Sequence, residues 1–216
     1  MIRIKICCIS SLEEAESALN AGADAIGLVS EMPSGPGVID NEMIKLISDS
    51  FSGRIDTFLL TSKRSTKEII EQHKLFGTCT IQIVDSLLEG THTELKNALP
   101  VVNIVQVIHV SGEDSLTEAI QNSYSADALL LDSGNQKLAV KELGGTGRTH
   151  NWEISRKIVE SVNVPVYLAG GLNPENIVEA INAVNPFGVD ICSGVRTNGK
   201  LDEKKLGDYI SKIKSL

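Results

Sequence analysis

The chain has little that would serve metal or disulfide chemistry. Its four cysteines are Cys7, Cys8, Cys79 and Cys192, and they make neither a zinc-type spacing nor a dense disulfide framework. Reduced thiols in a cytoplasmic protein are the expectation. The four histidines, His73, His92, His109 and His150, are scattered with no HExxH-like pair, so no metal site is expected. Positive charge is also scarce. Twenty Lys and Arg against 28 Asp and Glu give a net charge of -8, which argues against a sequence-independent nucleic-acid binder with a basic face. Residues 1–6 hold no apolar run long enough for a signal peptide or membrane span, so no membrane partner is expected.

What is present is ordinary globular composition, 42% hydrophobic and 22% charged, in a regular order. A length of 216 residues suits one sizeable core and is too short for two ordinary domains. Short apolar runs predict strands over residues 2–7, 25–29, 55–60, 79–84, 101–108, 128–132, 164–169 and 187–191. Amphipathic stretches lie between them. Ser10 or Ser11, Asp40, Ser65 and Asn151 are placed to cap helices, and Asn173-Pro174 reads as a helix start. A polar, glycine-rich connection occupies residues 133–151. Eight strands, each followed by a helix, with no composition break, indicate one α/β domain over residues 1–216, a single (β/α)8 TIM barrel. A doubly wound open sheet is the competitor, weakened because no Gly-x-Gly-x-x-Gly opens the first helix.

In such barrels chemistry sits where strands end on the C-terminal face. The first strand ends Lys5-Ile6-Cys7-Cys8. Strand alternation puts Lys5 and Cys7 on the inner face, with Ile4 and Ile6 turned towards the helices and Cys8 expected to follow them. A lysine beside a cysteine at the mouth suits a thiolate base. On spacing alone, though, Cys7 reads better as a small core residue. The sixth strand closes three leucines with Asp132, placed equally well for a general acid or for bracing a loop. Gly170-Gly171 after the seventh strand and Ser193-Gly194 after the eighth bring backbone N–H groups beside helix starts. That is a phosphate-binding arrangement rather than two unrelated tight turns.

Taken in order, Lys5-Ile6-Cys7, Leu131-Asp132, the run from Gly144 to Thr149, Asn151-Trp152, the run from Gly170 to Asn176, Val189-Asp190 and Ser193-Gly194-Val195 resemble the phosphoribosylanthranilate isomerase family. The resemblance runs nearly the whole chain and is stronger in its second half. It implies a cofactor-free Amadori rearrangement in tryptophan biosynthesis. Asp132 would be the general acid that opens the ribose ring and Cys7 the general base at C2′. Lys5, Gly145, Gly170, Gly171, Asp190, Ser193 and Gly194 would serve the phosphorylated substrate, and the loop carrying Gly144 to Thr149 would close over it.

The departures lie at the aryl end. Cys8 stands where the family usually has glycine, and His150-Asn151 where it has Phe-Asp. The loop after the second strand, Met32-Pro33-Ser34-Gly35-Pro36-Gly37-Val38, has no arginine for the anthranilate carboxylate. Arg196, after the eighth strand, could replace that contact, meet the phosphate, or be a solvated surface residue. Three readings follow: a phosphoribosylanthranilate isomerase, an isomerase of another phosphorylated aminosugar, or a non-catalytic barrel that binds a phosphometabolite. The partner expected is a small phosphorylated substrate, with the protein a monomer or homodimer.

Overall fold

The computed structural model describes residues 1–134 and 149–216. Eight parallel strands, β1 (Arg3–Ile6), β2 (Ala25–Val29), β3 (Asp56–Thr61), β4 (Thr80–Ile83), β5 (Asn103–His109), β6 (Ala128–Asp132), β7 (Val166–Leu168) and β8 (Gly188–Ile191), pair in sequence order. β1 closes the barrel by pairing with β8 as well as β2, Lys5 lying opposite both Asp190 and Ala25. The helices are α1 (Leu12–Ala21), α2 (Asn41–Phe51), α3 (Thr66–Phe76), α4 (His92–Ala98), α5 (Asp114–Ser123), α6 (Trp152–Ser161), α7 (Ile177–Val184) and α8 (Glu203–Lys214). No helix among the described residues is long and apolar enough to cross a membrane.

The period-2 alternation of each strand sorts its side chains into two cores. Outward residues such as Ile4, Ile6, Ile26, Leu28, Leu129, Leu131, Val189 and Ile191 pack against the helix faces carried by Ile44, Ile47, Ile158, Ile177, Ile181 and Tyr209. Full burial of each such side chain stabilises the fold by roughly 1.5–3 kcal/mol. Inward residues, including Phe58, Leu60, Val105, Val107, Leu130 and Tyr167, fill the barrel. Tyr167 stacks edge-on against Phe58. It fits because Gly188 on the next strand is bare: a Cβ there would come within 2.6 Å of the ring.

Local signals start most helices where they were expected. Ser11 accepts from Glu14 N, Asp40 from Met43 N and Asn151 from Glu153 N. Ser65 sits at the N-cap of α3 without a side-chain cap bond. After β7, Asn173 does not start the helix directly. Its Oδ1 accepts from the amides of Glu175 and Asn176 to form a turn, and α7 begins at Ile177. β7 itself is shorter than expected, and a hairpin of β9 (Arg196–Thr197) and β10 (Lys200–Leu201) follows β8 without having been foreseen.

Candidate active site

At the C-terminal ends of the strands the barrel opens into a concave cavity, partly open to solvent. Its wall brings together Cys7, Asp132, Gly170, Gly171, Asp190 and Ser193. These residues come from the ends of β1, β6, β7 and β8. Strand register, not sequence distance, gathers them.

The floor is set by Lys5 and Asp190. Neighbours across the β1–β8 seam, they form a buried ion pair with Lys5 Nζ 2.9 Å from Asp190 Oδ1. Burial works against the Lys5 charge, but the carboxylate of Asp190, with Cys7 and Cys8 nearby, more than offsets it and holds the ammonium above its usual range. Burial pushes the Asp190 carboxyl upward while Lys5 pulls it back. Lys5 Nζ also lies 5.2 Å from the centroid of the Phe58 ring. Lys5 is thus a buried charge beneath the cavity rather than part of its wall.

Gly27 on β2 makes this arrangement possible, and the sequence reading passed over it. A Cβ at that position would come within 2.9 Å of Cys7 Sγ and 3.0 Å of Lys5 Nζ. The signal was the one glycine inside an otherwise apolar strand. Gln82 was also missed. It is buried on the inward face of β4, lines the cavity, and its Oε1 has no hydrogen-bond partner among the described residues.

Asp132 ends β6 with its Oδ1 accepting from Ser133 N at 2.7 Å. His150 stands close by. Its Nε2 pairs with Ser155 Oγ at 2.7 Å, while its buried Nδ1 has no partner among the described residues. Burial holds the imidazole down at about 4, with Asp132 opposing, so the ring is neutral at neutral pH.

The two glycine turns have distinct requirements. Gly170 and Gly171 adopt φ of 79° and 65°, consecutive left-handed residues that turn successive amides towards one side. A Cβ on Gly170 would also press within about 3 Å of Asp132 Oδ1, Ser133 N and His150 Nδ1. Gly194 permits close contact between the two loops: a Cβ there would collide with Leu172 O and meet Asn173 Cα at 3.0 Å. Among the described residues, the amides of Gly170, Gly171 and Ser193 donate to no backbone carbonyl. Gly145 and most of the run from Gly144 to Thr149 lie outside the described residues.

Two expectations are corrected. Arg196 does not reach across the mouth. Its Nη1 and Nη2 meet Glu14 Oε1 and Oε2 at 3.0 Å each, and the same nitrogens bond to Gly199 O and Cys8 O. Burial works against the guanidinium charge, but Glu14 more than compensates and raises it further. This ion pair clamps the β8 loop to α1 and uses up both terminal nitrogens. Cys8 does not turn towards the helices either. β1 ends at Ile6, so alternation no longer applies, and Cys8 takes a left-handed φ of 63° that brings its thiol into the cavity wall beside Cys192.

The side of the cavity formed by the loop after β2 is apolar. Met32, Gly35 and Pro36 from the loop after β2 face Leu60 and Val107, and no lysine or arginine lines the cavity among the described residues.

The family model of N-(5'-phosphoribosyl)anthranilate (PRA) isomerase matches residues 4–212. The N-(5'-phosphoribosyl)anthranilate isomerase 2 of Methanosarcina mazei is 36% identical over 216 residues, covering 99% of this chain and 95% of its own. The crystal structure of phosphoribosyl anthranilate isomerase from Thermotoga maritima superposes with a TM-score of 0.81 at 28% identity, covering both chains fully. A phosphoribosyl anthranilate isomerase in complex with reduced 1-(o-carboxyphenylamino)-1-deoxyribulose 5-phosphate superposes at 0.78 with 27% identity, again over both whole chains. With the family model matched over nearly the whole chain and a relative 36% identical along its length, the chain belongs to the N-(5'-phosphoribosyl)anthranilate isomerase family.

Proposed function

We propose that this barrel isomerises N-(5'-phosphoribosyl)anthranilate to 1-(o-carboxyphenylamino)-1-deoxyribulose 5-phosphate, with Asp132 as general acid and Cys7 as general base. The observation that carries the reading is that both residues border one cavity, beside the amides of Gly170, Gly171 and Ser193, which donate to no backbone carbonyl among the described residues. Those amides suit a phosphate, and anchoring that end orients the ribose between the two groups.

The steps follow from that placement. Asp132 gives a proton to the ribose ring oxygen as the substrate nitrogen lone pair moves into the C1′–N bond, breaking C1′–O and leaving a protonated Schiff base. The Cys7 thiolate then takes the C2′ proton, and the electrons of that C–H bond neutralise the iminium as an enaminol. The O2′ hydroxyl then gives up its proton as C1′ gains one, so the O–H electrons form the C2′ carbonyl and the enaminol becomes the ketone. Lys5, held charged by Asp190, supplies fixed positive potential beneath Cys7. The buried amide oxygen of Gln82 is placed to accept from a substrate hydroxyl.

A second reading, the same rearrangement on another N-ribosyl phosphate, is favoured by the apolar side of the cavity formed by the loop after β2. One assay separates them. Freshly made phosphoribosylanthranilate is supplied and the loss of anthranilate-type fluorescence followed. Turnover supports the first reading. Absence of turnover, together with activity on an N-ribosyl phosphate that lacks the aryl carboxylate, supports the second. Inactivity on both rejects the acid–base assignment.

A further inference from the structure

A pair of thiols that the isomerisation does not use meets at the seam that closes the barrel. The β1–β8 register pairs Lys5 with Asp190 and Ile6 with Ile191, and Cys7 N extends the ladder by donating to Ile191 O at 2.7 Å. Just past the last strand residues, Cys8 on one side and Cys192 on the other bring their Sγ atoms to 2.6 Å. The bonded separation is about 2.05 Å, so forming a bond needs little movement.

Three further features set this pair apart from an accident of packing. Cys8 keeps a φ of 63°, a left-handed conformation that strains a residue with a Cβ and costs glycine almost nothing. The backbone therefore calls for glycine, yet the residue there carries a thiol. Gly37, itself left-handed at 79°, packs directly on Cys8 Cβ, so the loop after β2 holds that thiol against Cys192. Both sulfur-bearing residues line the cavity, and Cys192 is partly exposed, so a small oxidant can reach them.

The charges nearby separate the roles of the two sulfurs. Contact with the Cys8 thiol favours a Cys192 thiolate; burial and the Asp190 carboxylate oppose this, and the positive charges of Arg196 and Lys5 add to it. Cys8 is pushed the other way, by its contacts with Cys192 and Cys7 and by burial. One sulfur is thus suited to be nucleophile and the other to resolve, an arrangement typical of redox-sensing pairs.

We infer that Cys8 and Cys192 are a redox-active dithiol that a hydroperoxide closes to a disulfide, switching the isomerase off. The Cys192 thiolate attacks one peroxide oxygen and the O–O bond breaks. The departing hydroxide takes up a proton and leaves as water, and Cys192 carries a sulfenic acid. The Cys8 sulfur then displaces the sulfenic hydroxyl, which leaves with the Cys8 proton as a second water. Two thiols and one hydrogen peroxide thus give one disulfide and two waters, the sulfurs losing the two electrons the peroxide gains. Activity responds because Cys8 adjoins the base Cys7 and Cys192 adjoins Ser193. Closing the bond moves the sulfurs by only about half an ångström, and since misplacement by about 1 Å in a site of this kind costs about 10²-fold, a shift of that size passed to Cys7 and Ser193 costs about tenfold.

The test uses the whole chain treated with hydrogen peroxide, then mapped by non-reducing peptide mass spectrometry and assayed in parallel. The expected result is a peptide cross-linked between Cys8 and Cys192, a loss of kcat/KM of about tenfold or more, and recovery of both with dithiothreitol. Cys8→Gly, which suits the backbone, and Cys192→Ser are each compared with their own reduced form, and both should lose the response. Cys79→Ser, whose sulfur bonds to Thr57 at the opposite end of the barrel, should keep it. A cross-link through Cys7, the absence of any cross-link, or a cross-link without loss of activity overturns the inference. Inactivation undiminished in Cys8→Gly and Cys192→Ser does so too, because it identifies Cys7 itself as the oxidised group. The mapping needs no substrate, so its outcome stands apart from the isomerase assay.

Discussion

The Arg196–Glu14 clamp gives the sharpest quantitative test of this barrel mouth. Glu14 receives both guanidinium nitrogens at 3.0 Å, together with Ser10 N at 3.0 Å, Ser10 Oγ at 3.1 Å and Leu201 N at 2.9 Å. The two side chains are only 10% and 12% exposed. Removing one partner of a buried pair costs about 3–5 kcal/mol, because the other charge is left uncompensated. In Arg196→Ala the carboxylate keeps its three other donors, so the lower end, about 3 kcal/mol, is expected. For a chain of this size that is roughly 6–12 °C in Tm, read by circular dichroism at pH 7. Burial opposes the Glu14 charge, but Arg196 and the amide donors outweigh it and hold the carboxyl below its ordinary range. A depressed folded-state carboxyl stabilises above the unfolded value and stops doing so as pH falls through the folded one. The gap between wild type and variant should therefore close in acid. The guanidinium also holds Cys8 O, so kcat/KM should fall equally on substrates with and without an aryl carboxylate. An unchanged Tm with a loss confined to the carboxylate-bearing substrate would refute the clamp and make Arg196 a substrate contact.

Cys7→Ser and Asp132→Asn should each lower turnover by about 10²-fold or more while binding persists; near-normal single-turnover rates in both would remove the acid–base assignment. Gly27→Ala should destabilise by roughly 1–3 kcal/mol through overpacking and cut kcat, because the new methyl meets Cys7 Sγ and Lys5 Nζ. Denaturant titration together with initial rates checks it, and a fully active, fully stable variant would contradict the close approach. The His150 imidazole is held at about 4 by burial against about 6.5 in an unfolded chain. Its contribution is thus complete above pH 6.5 and is lost, by up to about 3 kcal/mol, as pH falls towards 4. His150→Phe should flatten that part of the urea-unfolding profile, and an identical slope in the variant would show that the group titrates normally.

Much of this architecture is local and could be read before folding. Strand alternation put Lys5 and Cys7 inside and Ile4 and Ile6 outside, because a β-strand has only two faces and a fixed period. Ser11, Asp40 and Asn151 capped their helices for the equally local reason that short polar side chains satisfy the first free amides. Gly170-Gly171 revealed its turn because only glycine sits easily at two successive left-handed positions.

What escaped the sequence depends on contacts between distant segments. Arg196 and Glu14 are 182 residues apart, and a guanidinium at a strand end reads the same whether it faces a substrate or a helix. Cys8 was misplaced because alternation stops with the strand at Ile6, after which its left-handed backbone decides where the thiol points. Gly27 gained its meaning only when closure laid β1 beside β2 and brought Cys7 against it. Periodicity specifies which face a residue belongs to. Only barrel closure, which sets the register of β1 against β8, decides which side chains meet.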